Sequence, residues 1–173
     1  MLSRRSVLLS SSVLATTVLA SSFLAAATTT YQPLFRIERS KIANIVQYDA
    51  VLTKPHQLDG KKPVVAYWVL RAEDGRREGL SALDRRAYGF KLVPEPGGSW
   101  LLYLNATSDR AIRVVHWQGR WVAQVLVRGR SAVLTRIFVA TDESGILPSV
   151  RWVDLHGVDM ITGDPVSERL HPR

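Results

Sequence analysis

The chain has 173 residues, 46% of them hydrophobic and 22% charged, with a formal charge of +8 and no cysteine. That length suits one domain with an appendage and excludes a large multidomain enzyme, and the composition excludes wholesale disorder. Without cysteine there is no disulfide scaffold, no thiolate-held zinc or iron–sulfur centre, no thiol nucleophile and no cysteine-linked lipid anchor.

Residues 1–27 read as an export signal. Arg4 and Arg5 form a positive start, Ser6 to Ala27 carries no charge, and Ala25-Ala26-Ala27 supplies the small residues that a signal peptidase needs. A short apolar helix enters the membrane while the arginines stay on the cytoplasmic side. The stretch Ser3-Arg4-Arg5-Ser6-Val7-Leu8 is also similar to a twin-arginine signal, with Val7 where such signals usually carry Phe or Leu. The alternative is an uncleaved anchor. The 22-residue run is long enough to span a bilayer, but eight of its residues are Ser or Thr. Cleavage after Ala27 would leave a single domain over 28–173 that is soluble, basic, and periplasmic or secreted. Removing Arg4 and Arg5 from the +8 total leaves +6, which favours anionic partners. The basic residues come in scattered pairs such as Arg76-Arg77 and Arg85-Arg86, so no nucleic-acid partner is expected.

The rest reads as short strands. Runs rich in Val, Ile, Trp and Tyr recur between Gly, Pro and Asp clusters, and helical periodicity is nearly absent. Strands are expected at about 34–38, 44–53, 63–71, 87–93, 99–105, 110–117, 120–128 and 131–140, with a ninth at 148–156. Gln118-Gly119 and Arg128-Gly129 place Gly second in two-residue reversals, where a type I′ turn needs positive φ. Pro96-Gly97-Gly98 marks a third reversal. Strands 99–105 through 131–140 thus predict an antiparallel meander. In the last of them, strict alternation puts Ala132, Leu134 and Phe138 opposite Val133, Ile137 and Val139. One short helix is expected at Ser81–Arg86, with Ser81 and Asp84 as a capping pair. The fold expected is all-β: a single-domain antiparallel barrel, with a β-sandwich as the alternative. Residues from Thr162 to Arg173 are expected as a loose tail.

Three charged phrases are candidate sites. Asp154 and His156 are two apart, so on a strand they share a face with Trp152. They could ligate a divalent metal, with Asp159 or Glu168 as a third ligand, or serve as an acid/base pair. A structural histidine held by its neighbouring carboxylate is the alternative. Arg36 and Glu38 likewise share a face and could line a polar pocket for an anion; a charged, protected edge strand would look the same. Arg76 and Arg77 could clamp an anion, or belong to a self-pairing loop with Glu73, Asp74 and Glu78. The five tryptophans (68, 100, 117, 121 and 152) fall on expected strands, as core or as pocket lining. A turn at Gln118-Gly119 sets Trp117 opposite Arg120 and His116 opposite Trp121. There is no nucleophile elbow, phosphate loop or dinucleotide fingerprint.

Several phrases are familiar in combination: Phe35-Arg36-Ile37-Glu38-Arg39-Ser40-Lys41 with Asn44; Pro63-Val64-Val65-Ala66-Tyr67-Trp68; Glu73-Asp74-Gly75-Arg76-Arg77-Glu78; Ala87-Tyr88-Gly89-Phe90; and Trp152-Val153-Asp154-Leu155-His156-Gly157, with Thr162-Gly163 and Pro165-Val166 behind it. Together they resemble the bacterial domain of unknown function 4833 family over about residues 34 to 172. The resemblance implies one intact exported domain and supplies no activity or cofactor. The leading expectation is a cell-envelope protein that binds an anionic or amphipathic small molecule or lipid, through residues such as Arg36, Glu38, Arg76, Arg77 and Trp152. The alternatives are a metal-dependent or acid/base hydrolase working through Asp154, His156 and Asp159, and a scaffold for other envelope proteins.

Overall fold

The computed structural model describes residues 29–107, 110–142, 144 and 149–171; the export segment read at 1–27 lies outside them. In chain order the elements are β1 (Thr30–Arg39), β2 (Ile42–Lys54), β3 (Gln57–Leu58), β4 (Val64–Val69), β5 (Arg77–Gly79), α1 (Asp84–Tyr88), β6 (Phe90–Pro94), β7 (Trp100–Leu104), β8 (Ala111–Trp117), β9 (Arg120–Val127), β10 (Arg130–Asp142), β11 (Ser149–Asp159) and β12 (Pro165–Leu170). The fold is all-β with one short helix, a single sheet curled into a half-barrel.

The central meander forms as its turns require. Gln118 and Gly119 have φ of 46° and 78°, and Arg128 and Gly129 have 50° and 77°. Positive φ at both turn residues is the type I′ geometry, whose twist matches that of the flanking strands. The expected pairs His116 with Trp121 and Trp117 with Arg120 stand opposite one another.

The sheet runs β5-β4-β2-β1-β10-β9-β8-β7-β6, with β11 on β10, β12 on β11 and β3 on β2. β10 is the branch point. β11 lines one edge of it. On the other edge β9 pairs with residues 130–133 and β1 with residues 136–139. Two wings diverge from there, β1-β2-β4-β5 and β9-β8-β7-β6. The β1–β10 pairing is parallel, a departure from the antiparallel pattern expected throughout. The path ends at β5 and β6, so the curl stops at half a barrel rather than reaching the expected closure.

The core lies inside the curl. Tyr48, Leu102, Leu134, Val46, Val114 and Val127 are fully buried, and Phe35 stacks on Tyr48 with ring centroids 4.4 Å apart. Each such side chain stabilises the fold by about 1.5–3 kcal/mol through removal of apolar surface from water.

Three expectations shift. The helix begins at Asp84 rather than Ser81, because Ser81 and Asp84 bond reciprocally just ahead of it: Ser81 Oγ donates to Asp84 Oδ2 at 2.6 Å, and the Asp84 N–H donates to Ser81 Oγ at 3.1 Å. It therefore takes in Ala87 and Tyr88, which were expected in a strand, and β6 starts at Phe90. Gly89 makes that junction possible, since a Cβ there would overlap the Arg85 carbonyl. Residues Pro165–Leu170, expected within a loose tail, pair with β11 from Val153 to Val158. Val166 and Leu170 pack against the core. The polar Ser167-Glu168-Arg169 run hid this strand, because its Glu168 and Arg169 are held by ion pairs, Glu168 to Arg110 and Arg169 to Asp154.

Candidate functional site

Two rows of side chains cross the outer face of β1, β10, β11 and β12. In one row Arg36 stands beside Arg136, Arg136 beside His156, and His156 beside Ser167. In the next, Glu38 stands beside Phe138, Phe138 beside Asp154, and Asp154 beside Arg169. Alternation turns the residues between them, Ile37, Ile137 and Leu155, into the core. An irregularity in β10 between Leu134 and Arg136 makes the rows possible. It absorbs one residue, so Leu134 and Ile137 both face the core. Strict alternation grouped Leu134 with Phe138 and put Ile137 opposite. The bulge corrects this and delivers Arg136 and Phe138 to the outer face.

The charges form two neighbouring groups, one centred on Glu38 and Arg136 and reaching His156, the other the Asp154–Arg169 pair. Glu38 sits at one end with a side chain only 18% exposed, 2.6 Å from Arg36 Nε and 3.2 Å from Arg136 Nη1. Arg71, from the loop after β4, reaches it at 3.9 Å. Burial pushes the Glu38 carboxyl up, but the hydrogen bonds and attraction of Arg36 and Arg136 prevail and hold it below the usual glutamate range. The other arm of Arg136 lies 2.9 Å from His156 Nε2. A guanidinium only donates, so Nε2 must be the lone-pair nitrogen and the imidazole is neutral, with its proton assigned to Nδ1. Burial first, then Arg136, lowers the His156 pKa, against the opposing pull of Asp154 and Glu38. Asp154 accepts a fork from Arg169, Nε at 2.8 Å and Nη2 at 2.9 Å, and that bond chiefly lowers its pKa.

Trp152 follows on the same face, in register with Ala140. Arg169 lies 4.7 Å and Arg151 5.1 Å from its ring, within cation–π range. Its indole N–H is buried near Asp154 without completing a hydrogen bond. At the other end of the belt is a hollow of about 320 Å³, lined by Glu38, Arg39, Ile42, Ala43, Ile45, Arg71 and Phe138.

The structure thus brings Arg36, Glu38, Trp152, Asp154 and His156 into one belt. The other expected residues lie elsewhere. Arg76 pairs with Glu73 at 3.1 Å and Asp74 at 3.9 Å in its own loop, and Arg77 lies 4.8 Å over the Tyr67 ring. Asp159 faces the opposite side of β11 from Asp154 and His156. It holds the β11–β12 turn by accepting from the Ile161 and Thr162 N–H groups at 2.8 and 3.1 Å, with Arg130 3.7 Å away. Glu168 accepts from the Arg128 N–H and from Arg110 Nη1, at 3.0 and 3.3 Å. Among the described residues no three His, Asp or Glu side chains converge as a ligand set.

Sequence reading missed Arg71, Arg136 and Arg169. A lone arginine within the apolar run Val133-Leu134-Thr135-Arg136-Ile137-Phe138-Val139 was the available signal, and only the bulge gives it meaning. Asp49, which follows the Arg36–Lys41 phrase and groups with it as expected lining of a polar pocket, is instead a buried residue of β2. It is 1% exposed and accepts from Tyr67 Oη at 2.5 Å and Gln47 Nε2 at 2.9 Å.

These features define a class: an all-β half-barrel whose outer face carries a belt of paired charges ending at a partly apolar hollow. Within that class the assignment is specific. The model of the family described as a domain of unknown function (DUF4833) matches residues 35–169, and the chain belongs to that family. No curated protein and no solved structure matches it. Among the described residues no helix is long and apolar enough to cross a membrane.

Proposed function

We propose that the protein binds an amphipathic anion in the cell envelope, with its acidic head on the arginine belt and its apolar part in the adjoining hollow. The observation that carries this reading is the imbalance at the Glu38 end. Arg36, Arg71 and Arg136 all converge on one carboxylate, and Arg71 is half exposed and holds it only at 3.9 Å. Guanidinium donors left over beside Ile42, Ile45 and Phe138 suit a carboxylate or phosphate that carries an alkyl or aromatic group. The envelope setting rests on the leader read from Arg4 to Ala27.

The acid/base hydrolase reading meets an obstacle of geometry. A general base needs a free lone pair, yet Nε2 of His156 faces Arg136 and both oxygens of Asp154 face Arg169. Substrate would first have to displace two guanidinium groups.

Native mass spectrometry of the protein purified from the periplasm tests the binding reading, with a carried mass of a few hundred daltons as the expected result. A calorimetric titration with lysophosphatidic acid follows. Arg71→Gln and Arg136→Gln should each weaken binding roughly tenfold, as loss of one charge-assisted bond implies. Equal binding of the neutral monoacylglycerol, or affinity unchanged in both variants, would refute it.

A further inference from the structure

A second cluster of titratable side chains lies away from the belt, where the two wings meet at the rim. His116 ends β8. Across the hairpin it faces Trp121, with ring centroids 5.5 Å apart at 70°. His56 comes from the other wing, in the turn between β2 and β3. Its Nδ1 lies 3.4 Å from Nε2 of His116, and the two rings meet edge-on at 84°. Both residues are exposed.

The turn is built to deliver His56. Its φ is 63°, a left-handed conformation that non-glycine residues seldom adopt. The carbonyl of His56 accepts the indole N–H of Trp121 at 3.0 Å, and Trp121 is 92% removed from solvent, being only 8% exposed. The backbone of Trp121 is tied in turn to Gln32, whose Oε1 accepts its N–H at 3.3 Å. A strained residue persists where its surroundings over-determine it. Here they fix the imidazole of one wing against that of the other.

We propose that His56 and His116 form a binding site for a tetrahedral divalent cation, Zn²⁺ in the first instance. Two imidazole nitrogens on a tetrahedral Zn²⁺, each at about 2.0–2.1 Å, stand about 3.3–3.4 Å apart. The observed 3.4 Å separation matches that spacing. Neutral imidazole is a preferred zinc donor. Two protein ligands leave the remaining positions to water or to an anion carried in with the metal, so the site is open and exchangeable. Because the ligands come from different wings, the cation also ties the two wings together at the rim. The site is independent of the belt and of any ligand bound there.

The test is calorimetric titration of the purified protein with ZnCl₂, together with the shift of the Trp121 indole N–H resonance. About one Zn²⁺ per chain is expected, with that resonance moving in step. His56→Gln and His116→Gln should each weaken binding roughly tenfold or more, in line with the losses seen when a metal site is compromised, while His156→Gln leaves it unchanged. The thermal midpoint should rise with Zn²⁺ in the parent and in His156→Gln, but not in the other two variants. Absence of binding would overturn the proposal. So would affinity unchanged by either rim substitution, since a single histidine would then suffice, and so would binding lost in His156→Gln.

Discussion

The ribbon made by β1, β10, β11 and β12 has two faces whose residues alternate along the chain. One face is packed and apolar: Phe35, Ile37, Leu134, Ile137 and Leu155 are all buried. The other is charged and partly wet, with Glu38, Arg136 and His156 joined in one group and Asp154 and Arg169 paired beside it. The same backbone hydrogen bonds serve both, so the contrast separates two kinds of contribution. The inner face holds the fold by excluding water. The outer face contributes little stability, because half-exposed ion pairs are screened and each holds long side chains in one geometry. What the outer face provides instead is a fixed arrangement of donors and a histidine of defined protonation.

Several measurements would break or sharpen that contrast. The largest effect should come from the inner face. Phe35→Ala removes the ring stacked on Tyr48 and should cost about 3–5 kcal/mol in chemical denaturation; a loss near that of a surface substitution would mean the inner face is not the core. Next is the strand junction itself. A Cβ on Gly157 would lie 2.6 Å from the Val133 carbonyl oxygen. Gly157→Ala must therefore push β10 and β11 apart, and should cost about 1–3 kcal/mol as overpacking does. An unchanged unfolding midpoint would show that the pairing can yield there.

The outer face should respond differently. Arg136→Gln should change stability by less than about 1 kcal/mol, yet raise the His156 pKa, since Arg136 is one of the charges that lower it. Titration of the His156 ring protons by NMR would read this. A pKa unchanged by the substitution would detach the histidine from the belt.

The smallest effect is the acid dependence of folding. His156 has a folded pKa below its ordinary 6.5, so below about that pH the unfolded chain binds a proton that the folded one refuses. Stability then falls as pH falls. Glu38 and Asp154, with ordinary values of 4.5 and 3.8, are also lowered. Their contribution is complete above those values and is lost as pH drops through the folded ones. Denaturation midpoints should therefore decline in two stages, first below about pH 6.5 and again below about pH 4.5. The first stage should shrink in Arg136→Gln. A rise in stability on acidification through either window would contradict the assigned directions.

Much of the strand content was legible because it is local. Val and Ile runs between glycine turns fold as hairpins wherever they sit, and Gln118-Gly119 and Arg128-Gly129 set the meander by backbone conformation alone. The candidate site was half legible. Arg36 with Glu38, and Asp154 with His156, share faces by simple alternation, and the strands kept them so. Arg76, Arg77 and Asp159 looked equally promising in sequence. They went instead to a self-paired loop, a tyrosine face and a turn, and nothing local distinguishes those outcomes.

By itself, then, the sequence determined an all-β chain, its central turns, the pairing of His116 with Trp121, and membership of its family. The strands, turns and hairpin pair depend on neighbours within about five residues, where conformational preference acts directly, and the family resemblance is read from local phrases along the chain. The tertiary structure alone decided that β1 lies parallel to β10, that β12 joins the sheet, that a bulge turns Arg136 outward to meet Glu38 and His156, and that His56 meets His116 across 60 residues. All but the β11–β12 hairpin join segments far apart in the chain, and that hairpin forms only because its partners and the core receive it. Such contacts are selected by the burial of the whole core, and no short stretch of sequence carries that information.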